Sequence, residues 1–370
     1  MRTVVLLLGL SCGTSLCGAA EEPRPQIFSW VTLVGEQSLV ENPKAVLQGD
    51  VESMSWDEIR IDHAPSGTKE VPLHSRLTKY DADAHVIEDV DQRSSQIRTV
   101  TTYLYQKNLL ATIRARTLAS DGNQRGPEFI ETHRYDADGR LLEVRRERGQ
   151  NLENHYLSHY DPSGRLASRE IRQGPTDGLV YTEKFVYTED PATTERRVVL
   201  PDGQAKDSTR YRLDERGNVV ELWSNEGYHV RWKFDTQDRV VEQLADSDPA
   251  ARPCDVCPIP GRIETRYDDA VRVQTFFEPS GKAVLRRVTQ MEKDGSIASI
   301  RLEPPPGARP EDAPDLNHVV STIVPLGARR YIETTWDGHG NWTEKRVCVQ
   351  PNSGSTPIVQ FVYRRKIVYR

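Results

Sequence analysis

Cysteine is scarce in this 370-residue chain: there are five, and two of them, Cys12 and Cys17, fall within the first twenty residues. Basic residues are not in excess either. Lys and Arg number 49 against 55 Asp and Glu, a net charge of −6 with the signs interspersed. That balance argues against a nucleic-acid footprint. No run after residue 20 approaches the ~18 apolar residues that a membrane helix needs. Glycine-rich phosphate loops, nucleophile elbows and triad-like contexts are all missing. No segment sustains a helical period, so helix is expected to be rare.

What is present begins with "MRTVVLLLGLSCGTSLCGAA". One basic residue (Arg2), an apolar run from Val4 to Leu10, and Gly18 and Ala20 at positions −3 and −1 before Glu21 read as a secretory signal peptide. The residues preceding Cys12 and Cys17 fit a lipobox poorly, which favours soluble export over acylation. A transmembrane β-barrel is not expected, because segments such as "LEVRRERG" would place charge in lipid.

The body of the chain repeats itself. "YDADAHV" (Tyr80 to Val86), "YDADGRL" (Tyr135 to Leu141), "YDPSGRL" (Tyr160 to Leu166), "LDERGNV" (Leu213 to Val219), "FDTQDRV" (Phe234 to Val240), "YDDAVRV" (Tyr267 to Val273) and "WDGHGNW" (Trp336 to Trp342) align on one aspartate. Fainter copies start at Tyr105, Tyr187 and Met291. Each position has a physical reason. Asp followed three residues later by Gly marks a type I turn, and the carboxylate can accept the turn's own N–H groups. That assigns Asp81, Asp136, Asp161, Asp214, Asp235, Asp268 and Asp337 as turn aspartates. Gly139, Gly164, Gly217 and Gly340 are expected in the left-handed conformation that closes a three-residue hairpin loop with a bulge. Asp136–Arg140, Asp161–Arg165, Asp235–Arg239 and Asp268–Arg272 then become cross-strand charge pairs, each worth at most ~1 kcal/mol. One step outward, Tyr135–Leu141, Tyr160–Leu166, Phe234–Val240 and Trp336–Trp342 become cross-strand apolar pairs. A β-branched Val271 cannot take the left-handed site, so that turn is expected to differ. The following strands, such as "RLLEVRRER", alternate poorly, which leaves inner and outer faces unassigned.

This pattern closely resembles the YD repeat of the Rhs family, shared with the shells of bacterial toxin complexes and with teneurins. The resemblance covers residues 71–303 and 329–350. It implies hairpins laid side by side in a long antiparallel strip that spirals, often around a hollow. It also implies a secreted or surface-associated protein that binds or encapsulates rather than catalyses. The closing core and variable toxin domain of large Rhs proteins have no counterpart here, and Asp161-Pro162 lies mid-array in an ordinary repeat.

The expected fold is all-β: tandem antiparallel hairpins forming an extended, twisted or partly wrapped sheet. Its parts are a signal peptide (1–20), an N-terminal capping segment (21–70) with strands near Ile27–Val34 and Ser55–Asp62, the hairpin array (71–303), a Pro-rich linker (304–325), and a terminal hairpin with a final strand (326–370).

Other candidate chemistry is thin. Cys254 and Cys257 are flanked by Pro253, Pro258 and Pro260, and neither a βαβ context nor a second zinc-ligand pair exists. A structural disulfide is expected instead, either Cys254–Cys257 or one of these with Cys348. On a strand His155 and His159 would span ~13 Å, too far for one ion. The Asn341 sequon coincides with a repeat position and carries no weight. No catalytic residue, metal or cofactor is assigned.

The expected role is a non-catalytic binding or scaffold module at the cell envelope, with a cell-surface carbohydrate or an envelope protein as partner. Two rivals are a hydrolase (metal-dependent or carboxylate-based) on the sheet face and a remnant of an Rhs-type toxin system. The turn geometry is testable by itself. Gly139→Val should destabilise the protein by roughly 1–2 kcal/mol through strain in a left-handed site, read as a shift in the urea unfolding midpoint.

Overall fold

The computed structural model describes residues 47, 49–189, 192–225, 227–247, 261–277, 280–292, 297–307, 329–351 and 354–370. The signal peptide, the Ile27–Val34 strand, Cys254, Cys257 and most of the Pro-rich linker lie outside these residues. Within them the chain is all-β, with no helix.

The strands follow one another as a meander. The first six are β1 (Val51–Ala64), β2 (Gly67–Tyr80), β3 (Val86–Ser94), β4 (Ile97–Gln106), β5 (Leu109–Ala119) and β6 (Phe129–Tyr135). Then come β7 (Leu141–Arg148), β8 (Asn151–Tyr160), β9 (Leu166–Gln173), β10 (Gly178–Glu189) and β11 (Ala192–Val199). β12 (Ala205–Leu213), β13 (Val219–Ser224), β14 (Tyr228–Phe234), β15 (Val240–Ser247) and β16 (Gly261–Asp268) continue the array. It ends with β17 (Val271–Phe277), β18 (Ala283–Met291), β19 (Ile297–Glu303), β20 (Arg329–Trp336), β21 (Trp342–Gln350) and β22 (Ile358–Tyr369).

Every strand pairs antiparallel with the next, and β22 returns to pair with β1, from Val51 opposite Tyr369 to Arg60 opposite Phe361. The hairpin array therefore does more than partly wrap: it closes into a 22-stranded barrel. Closure removes the two rows of unpaired backbone groups that an open strip would expose. The segment expected to cap one edge, β1, is instead an ordinary stave with neighbours on both sides. The last two residues reinforce this seam. Arg370 donates from Nη2 to the carbonyls of Tyr80 (2.7 Å) and Asp81 (2.6 Å), and its guanidinium pairs with Asp50. Tyr369 donates its hydroxyl to Asp337 and accepts from Asn341 Nδ2 at 2.8 Å.

Register supplies the faces that the sequence left open. One face runs from Met54 to Thr78, Asp89, Thr101, Ala115 and Phe129 across β1 to β6. On the other side of the barrel the same face runs from Gln243 through Ile263 and Phe276 to Leu285. It holds most of the buried strand residues, among them Ile171, Phe185, Leu222, Val230, Trp232 and Val347. Curling a sheet crowds side chains on its concave side, so this is the inner face, alternating along each strand with an outer one. Apolar packing concentrates in two places: Val219, Leu222, Val230, Trp232 and Ala245 on β13–β15, and a larger group around Phe276, Ile300, Ile332, Val347 and Tyr363 on β17–β22.

The seam yields a local prediction. Arg370→Ala should speed amide hydrogen exchange along β1 and β22 while β9–β12 keep native protection. Uniform loss of protection, or no change at the seam, would count against its role there.

Candidate functional site

The repeat residues are the obvious candidates for a site, and the structure shows what occupies them. In the Asp136 turn the Gly139 N–H donates to the Asp136 carbonyl (3.2 Å), while Asp136 Oδ1 accepts the N–H groups of Asp138 and Arg140 (2.9 Å each). Gly139 sits at φ +82°, and Gly164, Gly217 and Gly340 at +85°, +83° and +87°. The same Oδ1 pattern recurs at Asp81, Asp214, Asp235 and Asp337, while Asp161 Oδ1 accepts the single N–H of Arg165. Asp161 additionally takes a hydrogen bond from the Ser163 hydroxyl. That bond, followed by the Arg165 N–H, pulls its carboxyl down to about 2. Arg140, Arg165 and Arg239 each pair with their turn aspartate, at 2.6, 3.0 and 2.7 Å. Ala84 and Asp238 adopt the left-handed conformation without being glycine, at φ +62° and +58°.

The Val271 turn differs. Asp268 lies directly opposite Val271 in a two-residue turn whose left-handed residue is Asp269 (φ +45°). Arg272 consequently faces Tyr267 rather than Asp268, one position away from the charge pairing expected of it.

A second set of contacts links each repeat to the next. The Tyr160 hydroxyl donates to the Leu141 carbonyl (2.9 Å), Tyr187 to Leu166 (2.8 Å), Tyr267 to Val240 (3.2 Å) and Tyr135 to Leu110 (3.0 Å). Over three of these rings lies the arginine of the preceding turn: Arg140 over Tyr160 (5.4 Å), Arg165 over Tyr187 (4.8 Å) and Arg239 over Tyr267 (4.3 Å). Each such stack contributes ~0.5–1 kcal/mol. Where Phe234 lacks the hydroxyl, Arg216 reaches across to the Asp235 carbonyl (3.0 Å) and Asn218 to Asp238 (2.8 Å).

The outer face carries a further ladder that the seven-residue alignment missed. Lys79–Glu88, Arg134–Glu143, Arg212–Glu221 and Lys233–Glu242 are directly opposed ion pairs of 2.7–2.8 Å flanking four turns. A basic residue just before the apolar residue that leads into the turn (Tyr80, Tyr135, Leu213 and Phe234), and a glutamate nine positions after that basic residue, was the available signal.

Inside, the early strands bury carboxylates that are already engaged. Asp89 accepts from Arg76 Nε (2.7 Å) and the Thr78 hydroxyl (3.0 Å). Glu131 pairs with Arg146 and lies 2.6 Å from His133 Nε2, and Glu183 pairs with Arg196 Nε at 2.9 Å. On the outer face His155 is held too, with Nε2 2.9 Å from Glu143 and Nδ1 3.0 Å from Asp177, while His159 is exposed beside Glu170. The two histidines thus serve separate carboxylates. Cys348 is a buried free thiol, and its two expected partners, Cys254 and Cys257, lie outside the described residues. Among the described residues Asp81, Asp83 and His85 bring three potential ligand atoms within 4.8 Å, but Asp81 is already spent on the turn's N–H groups.

No protein-family model matches the chain, and no curated protein matches it by sequence. Solved structures do show likeness. A TcdB2–TccC3 structure is 10% identical over 80% of this chain and 20% of its own, with a TM-score of 0.29. A porin-like protein from Bacteroides uniformis is 9% identical over 87% and 99%, with a TM-score of 0.28. Transferrin binding protein B from Haemophilus parasuis is 8% identical over 86% and 76%, with a TM-score of 0.18. The chain spans about a fifth of the TcdB2–TccC3 chain that it matches.

The engaged inner carboxylates have a pH signature. Burial by itself would raise the Glu131 carboxyl, but the His133 hydrogen bond and the Arg146 charge outweigh it and hold the group below its ordinary value. A carboxylate lowered on folding stabilises the native state above its unfolded pKa of ~4.3, and that contribution disappears as pH falls through the folded value. Glu131→Gln should therefore cost about 2 kcal/mol at pH 7, with the difference from the native chain shrinking below pH ~4. Denaturant midpoints across pH 3 to 7 measure it.

Proposed function

We propose that the protein is an exported, non-catalytic binding or scaffold barrel of the YD-repeat type, acting at the cell envelope with an envelope glycan or envelope protein as its partner. The observation that carries this reading is that the repeat residues are used up by the wall they build. Turn aspartates cap their own loops, and the arginines stack on the next tyrosine. Those tyrosines bond to the chain before them. Residues committed in this way are structural, so the function belongs to the surfaces that the wall presents.

Three features support the finer points. The leader favours export. The outer ladder of Lys, Arg and Glu pairs suits water and not hydrocarbon, where such charges at mid-depth cost ~2–4 kcal/mol each. The buried carboxylates Asp89, Glu131 and Glu183 each answer to an arginine, unlike the two convergent carboxyls that glycoside hydrolysis requires. Sugar stacking on the repeat tyrosines is disfavoured, because their hydroxyls and ring faces already have occupants.

The test is a binding screen of Glu21–Arg370 against glycans and cell-wall polysaccharides, with product analysis on every hit. Saturable binding without turnover is the expected outcome. Turnover of a bound glycan would overturn the non-catalytic reading, and folded protein that binds none would leave the scaffold role and redirect the search to protein partners.

A further inference from the structure

Not every tyrosine of the array is bound into its wall. Those before the turns donate their hydroxyls to the preceding repeat, as Tyr160 does to Leu141. Tyr156 on β8 and Tyr181 on β10 stand away from the turns. Register places each of them directly opposite Ile171 of β9, so all three share the inner face. Ile171 is 3% exposed, while the rings on either side of it are only half-buried. Neighbouring strands lie ~4.8 Å apart, which separates the two tyrosines by ~10 Å across the isoleucine. Neither hydroxyl bonds to a protein group among the described residues. Burial, then the Glu183 charge and the neighbouring Tyr156, raise the Tyr181 pKa above its ordinary value, so the group remains a hydroxyl and a donor at neutral pH.

Beside this pair the same face offers amides. Asn154 lies opposite Arg146, two residues before Tyr156, and its Oδ1 accepts from Gln173 Nε2 at 2.7 Å. That bond leaves the Asn154 amide N–H groups and the Gln173 carbonyl oxygen open. The charges flanking the pair answer one another. Glu131 pairs with Arg146, Glu183 pairs with Arg196 Nε at 2.9 Å and lies 3.7 Å from Arg169, and Asp207 lies 3.3 Å from Arg196. Arg146 covers one face of the Tyr156 ring at 5.4 Å, whereas no ring or cation is stacked on Tyr181 among the described residues. An ionic ligand would find no uncompensated opposite charge here to offset its desolvation. An uncharged polyhydroxylated one fits better: the C–H face of a sugar packs on an aromatic ring, and its hydroxyls both donate and accept.

We propose that Tyr156, Tyr181, Asn154 and Gln173 form an inner-wall binding site for an uncharged glycan, with the Tyr181 ring as its platform and the two phenol hydroxyls and two amides meeting sugar hydroxyls. The site presupposes the glycan branch of the proposed envelope role, and it puts the sugar on tyrosines inside the barrel that the repeat does not use.

Titration calorimetry tests it, using Glu21–Arg370 with cellotetraose, chitotetraose and maltotetraose as neutral probes and a heparin-derived sulfated tetrasaccharide as the charged comparison. The native protein should bind at least one neutral probe saturably, and more tightly than the sulfated one. Tyr181→Ala should weaken that binding by about tenfold, the worth of a lost ring contact and hydrogen bond. Tyr181→Phe should weaken it less and leave the thermal midpoint unchanged, because the hydroxyl has no partner in the fold; it serves if Tyr181→Ala fails to fold. Tyr267→Phe, which loses the bond to the Val240 carbonyl, should do the reverse, lowering the midpoint while the affinity holds. Equal binding of a neutral probe by the native protein and both Tyr181 variants overturns the site and leaves the glycan reading standing. Tighter binding of the sulfated probe overturns the uncharged ligand. No saturable binding of any neutral probe also overturns the site, and the glycan reading falls with it only if the wider glycan screen is empty too.

Discussion

Every face in this barrel depends on one small arrangement, the turn carboxylate that accepts two backbone N–H groups ahead of a left-handed residue. At Asp136 those bonds close the loop at three residues and a bulge, and Tyr135 then falls opposite Leu141. A slip of one residue would carry every following side chain to the other face. Glu131, which belongs beside Arg146 inside, would then meet water, and Arg134 would leave Glu143. The tyrosine bond between repeats inherits the same setting, because the tyrosine before one turn must reach the carbonyl just after the previous one. The turn sets register, register sets the faces, and the faces decide which charges are buried.

Closure places a second demand on the chain. A sheet of 22 strands encloses more volume than its own inward side chains fill with hydrocarbon, since eight strands already suffice for a side-chain-packed interior. The inner face meets this with polar groups that satisfy one another across strands, as Asp89 does with Arg76 and Thr78, and keeps apolar packing to two patches. Ion pairs of this kind contribute little net stability but penalise mispairing heavily, because a half-made pair leaves a buried charge. In a structure made of similar hairpins, that penalty distinguishes the right neighbour from a nearly identical wrong one.

The turns were legible in the sequence because they are local. Asp and Gly three residues apart announce their geometry, and a valine at position 271 announces an exception that the structure realises as a two-residue turn. The tyrosine bonds between repeats were not legible, because their partners are 19 residues apart at Tyr160, 21 at Tyr187 and 27 at Tyr267. Spatial offset is constant there while loop length varies, so alignment on the turn hides it. Faces were obscured for another reason: β18 buries Leu285, Arg287 and Thr289 together, so its inner side carries no hydrophobic signature to alternate with the outer one. Closure had no local signal at all, since β1 and β22 meet from opposite ends of the array. The outer ion-pair ladder is the one element that a wider alignment window would have caught.

Charge placement on the inner face follows from where the repeat is kept and where it breaks. Around Glu131 and Glu183 the inward acid has an arginine across the strand, and such a stretch of wall is electrostatically complete. The Asp268 turn breaks the pattern and sends Arg272 to face Tyr267 on the inner side instead of its own aspartate on the turn. That change adds a cation to the stretch of wall where Arg287 sits diagonally across on the next strand. A degenerate repeat in a structural array normally costs stability and returns nothing. Here the break falls where unmet donors and acceptors cluster, at Thr289 and Gln274, deep in the wall. Real proteins depart from local consistency at functional positions. The departure at Val271 therefore marks the stretch of this barrel that the rest of the repeat array does not explain.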